Sequence, residues 1–231
     1  MLENDRSGRG LEIAEPEATL LPDGSDAASP LLAVLGRVRS ALDRERAAAP
    51  ACCAELQALP PEAALERLHR EPRFQTWGVC ELLLAKSAEL IADDPQAVDP
   101  ARAAHLATLA LAGAERLDAS RHAAAVVEDL RARAWAALGE ARRQAADLAG
   151  AEEALRAAAA CLSHGTGDLL VEARLLEFEA GVRRGQKRYK EAAAVLKLAA
   201  ARYRETGETE RLERALAERE DILQAAMRSI P

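Results

Sequence analysis

Three observations predict an all-α fold. Alanine, the best helix former, is the commonest of the 231 residues by a wide margin. Valine, isoleucine and threonine are sparse, and no run alternates with the period of a strand. Apolar residues instead recur every three or four positions in segments that open on Ser, Asp or Pro and stop at Gly or Pro. The composition also has an energetic corollary. Aromatics make up only 3% of the chain, so alanine-lined contacts bury little area and the few large side chains must dominate the core. Each of those contributes roughly 1.5–3 kcal/mol when buried.

Residues 1–28 hold Gly8, Gly10, Pro16, Pro22, Gly24 and several acids without sustained periodicity, which predicts a disordered tail. Ser29-Pro30 is a cap followed by a first-turn proline, and Leu31, Leu35, Val38 and Leu42 form one stripe of a helix that Pro50 should end. A segment over 51–59 and a Pro60-Pro61 start lead to a further short helix through Arg70, so 29–70 reads as an N-terminal cap of short helices. The region 71–231 reads as an array of longer ones. Glu71-Pro72 opens a helix to about Ala92 with Phe74, Trp77, Leu83, Leu84 and Leu90, and Asp93-Asp94-Pro95 starts a connection. Asp99-Pro100 starts its partner, which runs to about Leu117. A long helix from near Asp118 carries Val127, Leu130, Trp135 and Leu138, and Asp147 starts its partner, ending before His164-Gly165-Thr166-Gly167. Asp168 caps a helix with Val171, Leu175, Phe178 and Val182, followed by a partner over Tyr189 to Thr206. Gly207 supplies a left-handed stop, and a last amphipathic helix spans Glu208 to Ser229 with Leu212, Leu216, Leu223 and Met227.

The most informative stretch is Trp135-Ala-Ala-Leu138-Gly139, followed twelve residues later by Ala151-Glu-Glu-Ala-Leu155. The spacing places Trp135 and Leu138 on one helix face and a small residue where the next helix approaches. Asp99-Pro-Ala-Arg-Ala103, Asp147-Leu-Ala-Gly-Ala151 and Arg188-Tyr-Lys-Glu-Ala192 then occupy equivalent places, with Leu155 and Leu196 four residues beyond the last two alanines. The marker alanines lie 48 residues apart (103 to 151) and then 41 (151 to 192).

These features resemble the tetratricopeptide repeat (TPR), in which Trp-x2-Leu-Gly on one helix interlocks with Ala-x3-large on the next. The intervals exceed its usual length of about 34 residues. The likeness covers roughly residues 72–229, is best between Trp135 and Ala158, and loses Leu-Gly after Trp77. The strings from Phe74 to Leu84, from Asp129 to Trp135 and Gly165-Thr-Gly-Asp168 look like those of bacterial multi-repeat TPR proteins of uncertain function. The resemblance implies an α-solenoid of about three helix pairs, the N-terminal helices capping one end and the last helix the other. It also implies a concave groove on the first helices of the pairs that holds a protein or peptide partner. Counted from Trp135, positions that carry clamp residues in chaperone adaptors hold Arg133, Ala136, Ala137 and Glu140, with no clamp asparagine. The groove is instead expected to present Arg133, Glu140 and Arg143, then Arg174, Glu177 and Arg184, which suits acidic partners. The same charges also fit a solvated face laced by i,i+4 pairs.

Other chemistry is disfavoured. A net charge of −7 opposes non-specific binding to nucleic acid, and the Pro-jointed helices of 29–70 make a poor DNA reader. No apolar stretch is long enough to span a bilayer, and Met1-Leu-Glu-Asn-Asp-Arg lacks the pattern of a secretory signal. Cys52, Cys53, Cys80 and Cys161 lack metal spacing and read as reduced, packed thiols of a cytoplasmic protein. His69, His105, His122 and His164 are scattered, and His164-Gly-Thr-Gly-Asp168 lacks the Lys-Ser/Thr of a phosphate loop. The expectation is a non-enzymatic adaptor without cofactor. The alternatives are a self-assembling structural subunit, which would form a homo-oligomer, and, less favoured, a TPR-containing transcriptional regulator.

Overall fold

A computed structural model describes the backbone of residues 25–91 and 98–228, with side chains from residue 32 onward. The tail expected over 1–28 lies outside the described residues as far as position 24, as do the Asp93-Asp94-Pro95 connection and the helix end at Ser229. All regular structure among the described residues is helical. The elements are α1 (Ser25–Gln57), α2 (Pro61–Arg70), a 3₁₀ turn (Pro72–Phe74), α3 (Trp77–Glu89), α4 (Pro100–Ala114), α5 (Ala124–Gln144), α6 (Leu148–Leu162), α7 (Leu169–Gly185), α8 (Tyr189–Thr206) and α9 (Thr209–Arg228). None of them is long and apolar enough to cross a membrane.

Two compact units meet at Ser40 and Ala41. In the first, the described part is the leading half of α1, helical already at 25–28, with Leu32, Val34, Leu35 and Val38 exposed. The second holds everything from Ala41. There Pro50 does not end the first helix, which continues to Gln57. Proline offers no N–H to the Arg46 carbonyl and costs about 3 kcal/mol in a helix interior. Ala49, Cys52, Cys53 and Leu56 are buried on either side of it, and their transfer from water offsets that cost. Leu56 and Leu68 share a core with Phe74, Leu83 and Leu106, so no unit boundary falls at 70–71.

The helix starts follow local chemistry. The Asp99, Asp147 and Asp168 carboxylates accept the N–H groups of Arg102, Gly150 and Leu170 at 3.0, 2.9 and 2.8 Å, as N-caps do. Two expected starts move. Pro72 opens only the 3₁₀ turn, and α3 begins at Trp77, where Thr76 Oγ1 accepts the Val79 N–H at 3.4 Å. The long helix begins at Ala124 rather than near Asp118, because Asp118 Oδ1 is occupied by the Ser120 N–H and hydroxyl at 2.9 and 2.7 Å. Gly207 ends α8 at φ 76°, the left-handed geometry expected of it.

From α3 onward each helix packs on the next, and α5 also touches α3 and α7 across the intervening helices. The turns α5–α6 and α7–α8 are replicas 41 residues apart (146 to 187). Ala146 and Lys187 take φ of 61° and 60°. Asp147 and Arg188 donate N–H to the carbonyls of Arg142 and Arg183, both at 2.9 Å. Ala103, Leu138, Gly139, Ala151, Leu155, Ala192 and Leu196 are all buried, and Trp135 is half-buried between two clusters of the core. A Cβ on Gly139 would lie 2.2 Å from Phe178 Cζ and 3.0 Å from the Ala154 Cβ. The small residue is therefore required by the close approach of α6 and α7 to α5.

Candidate functional site

On α5, Ala132, Arg133, Ala136, Ala137, Glu140 and Arg143 recur at three- and four-residue spacing and so share a face. On α7 the same phase gives Arg174, Glu177, Phe178, Gly181 and Arg184. With α3 and α9 these faces line two joined hollows of about 310 and 670 Å³, which share Ala88, Ala136, Ala137 and Arg174. The smaller is mostly aliphatic, walled by Leu84, Ala132, Val171 and Leu175 beside Arg133, Arg174 and Glu81, whose carboxylate is paired with Arg46 Nε at 3.2 Å. The larger is charged and holds Glu140, Arg143, Glu177 and Arg184, together with Arg211, Arg214 and Glu218 of α9. All six charged residues expected of a groove thus lie along one continuous depression.

Their electrostatics differ from end to end. Arg143 donates through Nε and Nη2 to both Glu140 oxygens at 2.8 and 2.5 Å, and this pairing holds its guanidinium above the ordinary range. Arg184 Nη1 reaches Glu218 Oε1 at 3.2 Å, and Arg214 Nη2 reaches Glu210 Oε1 at 2.9 Å. Glu177 accepts the Tyr203 hydroxyl at 2.6 Å and lies 3.8 Å from Arg211 Nη1. Burial nevertheless pushes the Glu177 carboxyl above its ordinary value. Among the described residues, the Arg133 and Arg174 side chains have neither a hydrogen-bond nor an ion-pair partner. Burial first, then the like charges of Arg211 and Arg133, lowers the pKa of Arg174.

The sequence pattern did not place Arg211, Arg214 and Glu218 in the groove. Arg174 follows Arg133 by 41 residues, the interval from Ala151 to Ala192, but Arg211 follows Arg174 by only 37. The signal existed but broke phase at α9. The aliphatic walls were likewise read only as core.

Elsewhere, burial pushes the thiols of Cys53 and Cys80 up to about 11 and about 12, which disfavours the reactive thiolate. His122 stacks on Trp77 with ring centres 5.4 Å apart. Among the described residues no three His, Cys, Asp or Glu side chains gather as a metal site would require. Fold and groove together define an all-helical protein with a charged, partly aliphatic groove across alternate helices. No family model, curated protein or solved structure matches the chain.

Proposed function

We propose that this chain is a non-enzymatic TPR-like α-solenoid that holds a protein or peptide partner along the groove of α3, α5, α7 and α9. The observation that carries this reading is the joining of six charged residues, of which Arg133 and Arg143 are in phase with Arg174 and Arg184, into one groove with an aliphatic end. Aliphatic surface supplies affinity and the arginine–carboxylate pattern supplies selectivity, in the manner of helical grooves that take peptides. The equivalent turns and small-residue contacts also support the solenoid, because they repeat at the interval of the marker alanines.

The test is a pull-down with tagged full-length chain from cells that express it. Arg143→Glu with Arg184→Glu places carboxylate against Glu140 and Glu218 and should release the partner with little change in melting temperature. A bound set identical to that of the unaltered chain sinks the groove assignment. A second reading, self-assembly, is favoured by the exposed Leu32, Val34, Leu35 and Val38 of α1. Light scattering over a concentration series separates the two, since an adaptor alone stays monomeric.

A further inference from the structure

We propose that Arg133 and Arg174 anchor the groove by gripping a carboxylate of an acidic peptide segment, whose adjacent aliphatic side chain enters the hollow between Leu84, Val171 and Leu175. This deepens the adaptor reading and rests on it.

The first argument is charge complementarity. The other groove arginines each face a carboxylate of the chain: Arg143 has Glu140, Arg184 has Glu218, Arg211 has Glu177 and Arg214 has Glu210. In a chain with 38 acids against 31 Lys and Arg, carboxylates are in excess, yet none pairs with Arg133 or Arg174 among the described residues. Two guanidiniums on adjacent helices repel each other, and Arg211 adds a third positive charge nearby. An anionic oxygen pair bridging Arg133 and Arg174 relieves that repulsion, and the guanidinium fork matches a carboxylate in two-point geometry.

The second argument is the neighbouring surface. Leu84 and Leu175 form a nearly closed floor, 7% and 8% exposed, and the 310 Å³ hollow above them opens directly beside both arginines. A site for a bare anion has no use for an aliphatic hollow, whereas a peptide presents both groups on one backbone. Nucleic acid fits less well: the hollow has no aromatic side chain on which a base could stack.

The experiment is a peptide-display selection on the immobilised full-length chain, followed by fluorescence anisotropy with the enriched sequences. Enriched peptides should carry Asp or Glu beside Leu, Ile, Met or Phe. Arg133→Gln with Arg174→Gln should weaken them at least tenfold and flatten the salt dependence. Arg133→Lys with Arg174→Lys, which keeps charge but loses the fork, should fall between. Arg188→Gln, outside the groove, should bind like the unaltered chain. Enrichment of neutral or basic peptides, absence of enrichment, or equal binding by the Gln pair overturns the anchor. In the pull-down, a partner lost on changing Arg143 and Arg184 but kept by the Gln pair sinks the anchor and leaves the adaptor reading standing. A partner kept by both variants sinks both.

Discussion

The helices from the second half of α1 to α4 and those from α5 to α8 build their cores by different means. The first region fills its interior with bulk: Leu56, Leu68, Phe74, Leu83, Leu106 and Leu109 are fully buried, and three of the four thiols lie among them. Its joints are irregular, with a proline inside α1, Pro60 before α2, Pro61 opening it and one in the 3₁₀ turn. The second region closes on small residues, with Ala151, Ala154, Ala158, Ala173, Ala180 and Ala192 fully buried, and it is anchored by Phe178, Leu196 and Tyr203. Its α5–α6 and α7–α8 turns share a left-handed residue and the same bond back to the preceding helix. Large flexible side chains accommodate an irregular path, whereas alanine contacts leave no slack and demand a fixed register. That register sets Arg133 and Arg143 on α5 in step with Arg174 and Arg184 on α7, making a row of scattered charges into a groove.

The largest test of this contrast is Phe178→Ala. If α5–α8 depend on a few large anchors among alanines, its loss should cost about 3–5 kcal/mol in urea unfolding. A cost under about 1 kcal/mol means that the small-residue contacts themselves carry the region.

Next comes alkaline pH, which separates the thiols of the two regions. Cys80 is pushed up to about 12 in the folded chain by burial, whereas an unfolded thiol ionises near 8.5. The folded pKa lies above the unfolded one, so the Cys80 contribution is intact below about pH 8.5 and is lost as pH rises toward 12. The slope is about 1.4 kcal/mol per pH unit, or about 3 kcal/mol by pH 11. Cys80→Ala should flatten that fall up to about pH 12, and Cys161→Ala, whose half-exposed thiol is pushed by burial only to about 11, should flatten it over a shorter range. Equal slopes for all three proteins remove the distinction.

The smallest effect is Gly139→Ala, which overpacks against Phe178 and should cost about 1–3 kcal/mol. Combined with Phe178→Ala it should cost at least about 1 kcal/mol less than the sum, because the ring it collides with is gone. Strict additivity means that α5 and α7 do not meet there.

What the sequence disclosed was what local chemistry decides. The Asp99, Asp147 and Asp168 caps and the Gly207 stop were legible because a cap is made within four residues of its own position. The phase of α5 and α7 was legible as well, and with it the shared face of the six groove residues. Pro50 misled because a proline's local cost is outweighed by burial that only tertiary packing creates. Asp118 misled because the same side chain can cap a helix or close a turn around Ser120. Thr76, directly before Trp77, was a readable cap overshadowed by Pro72. Arg211 could not be placed, because its membership of the groove depends on where α9 packs and not on any repeat interval.

The left-handed residues that close α5–α6 and α7–α8 make chain length an adjustable quantity. Ala146 and Lys187 hold the same backbone geometry without glycine, each followed by the same bond back to the preceding helix. The 41 residues from Ala146 to Gln186 can therefore be duplicated head to tail, since the new junction reproduces a turn the chain already makes. Each added copy brings another Arg174–Arg184 row, so the length of the groove becomes a matter of counting cassettes.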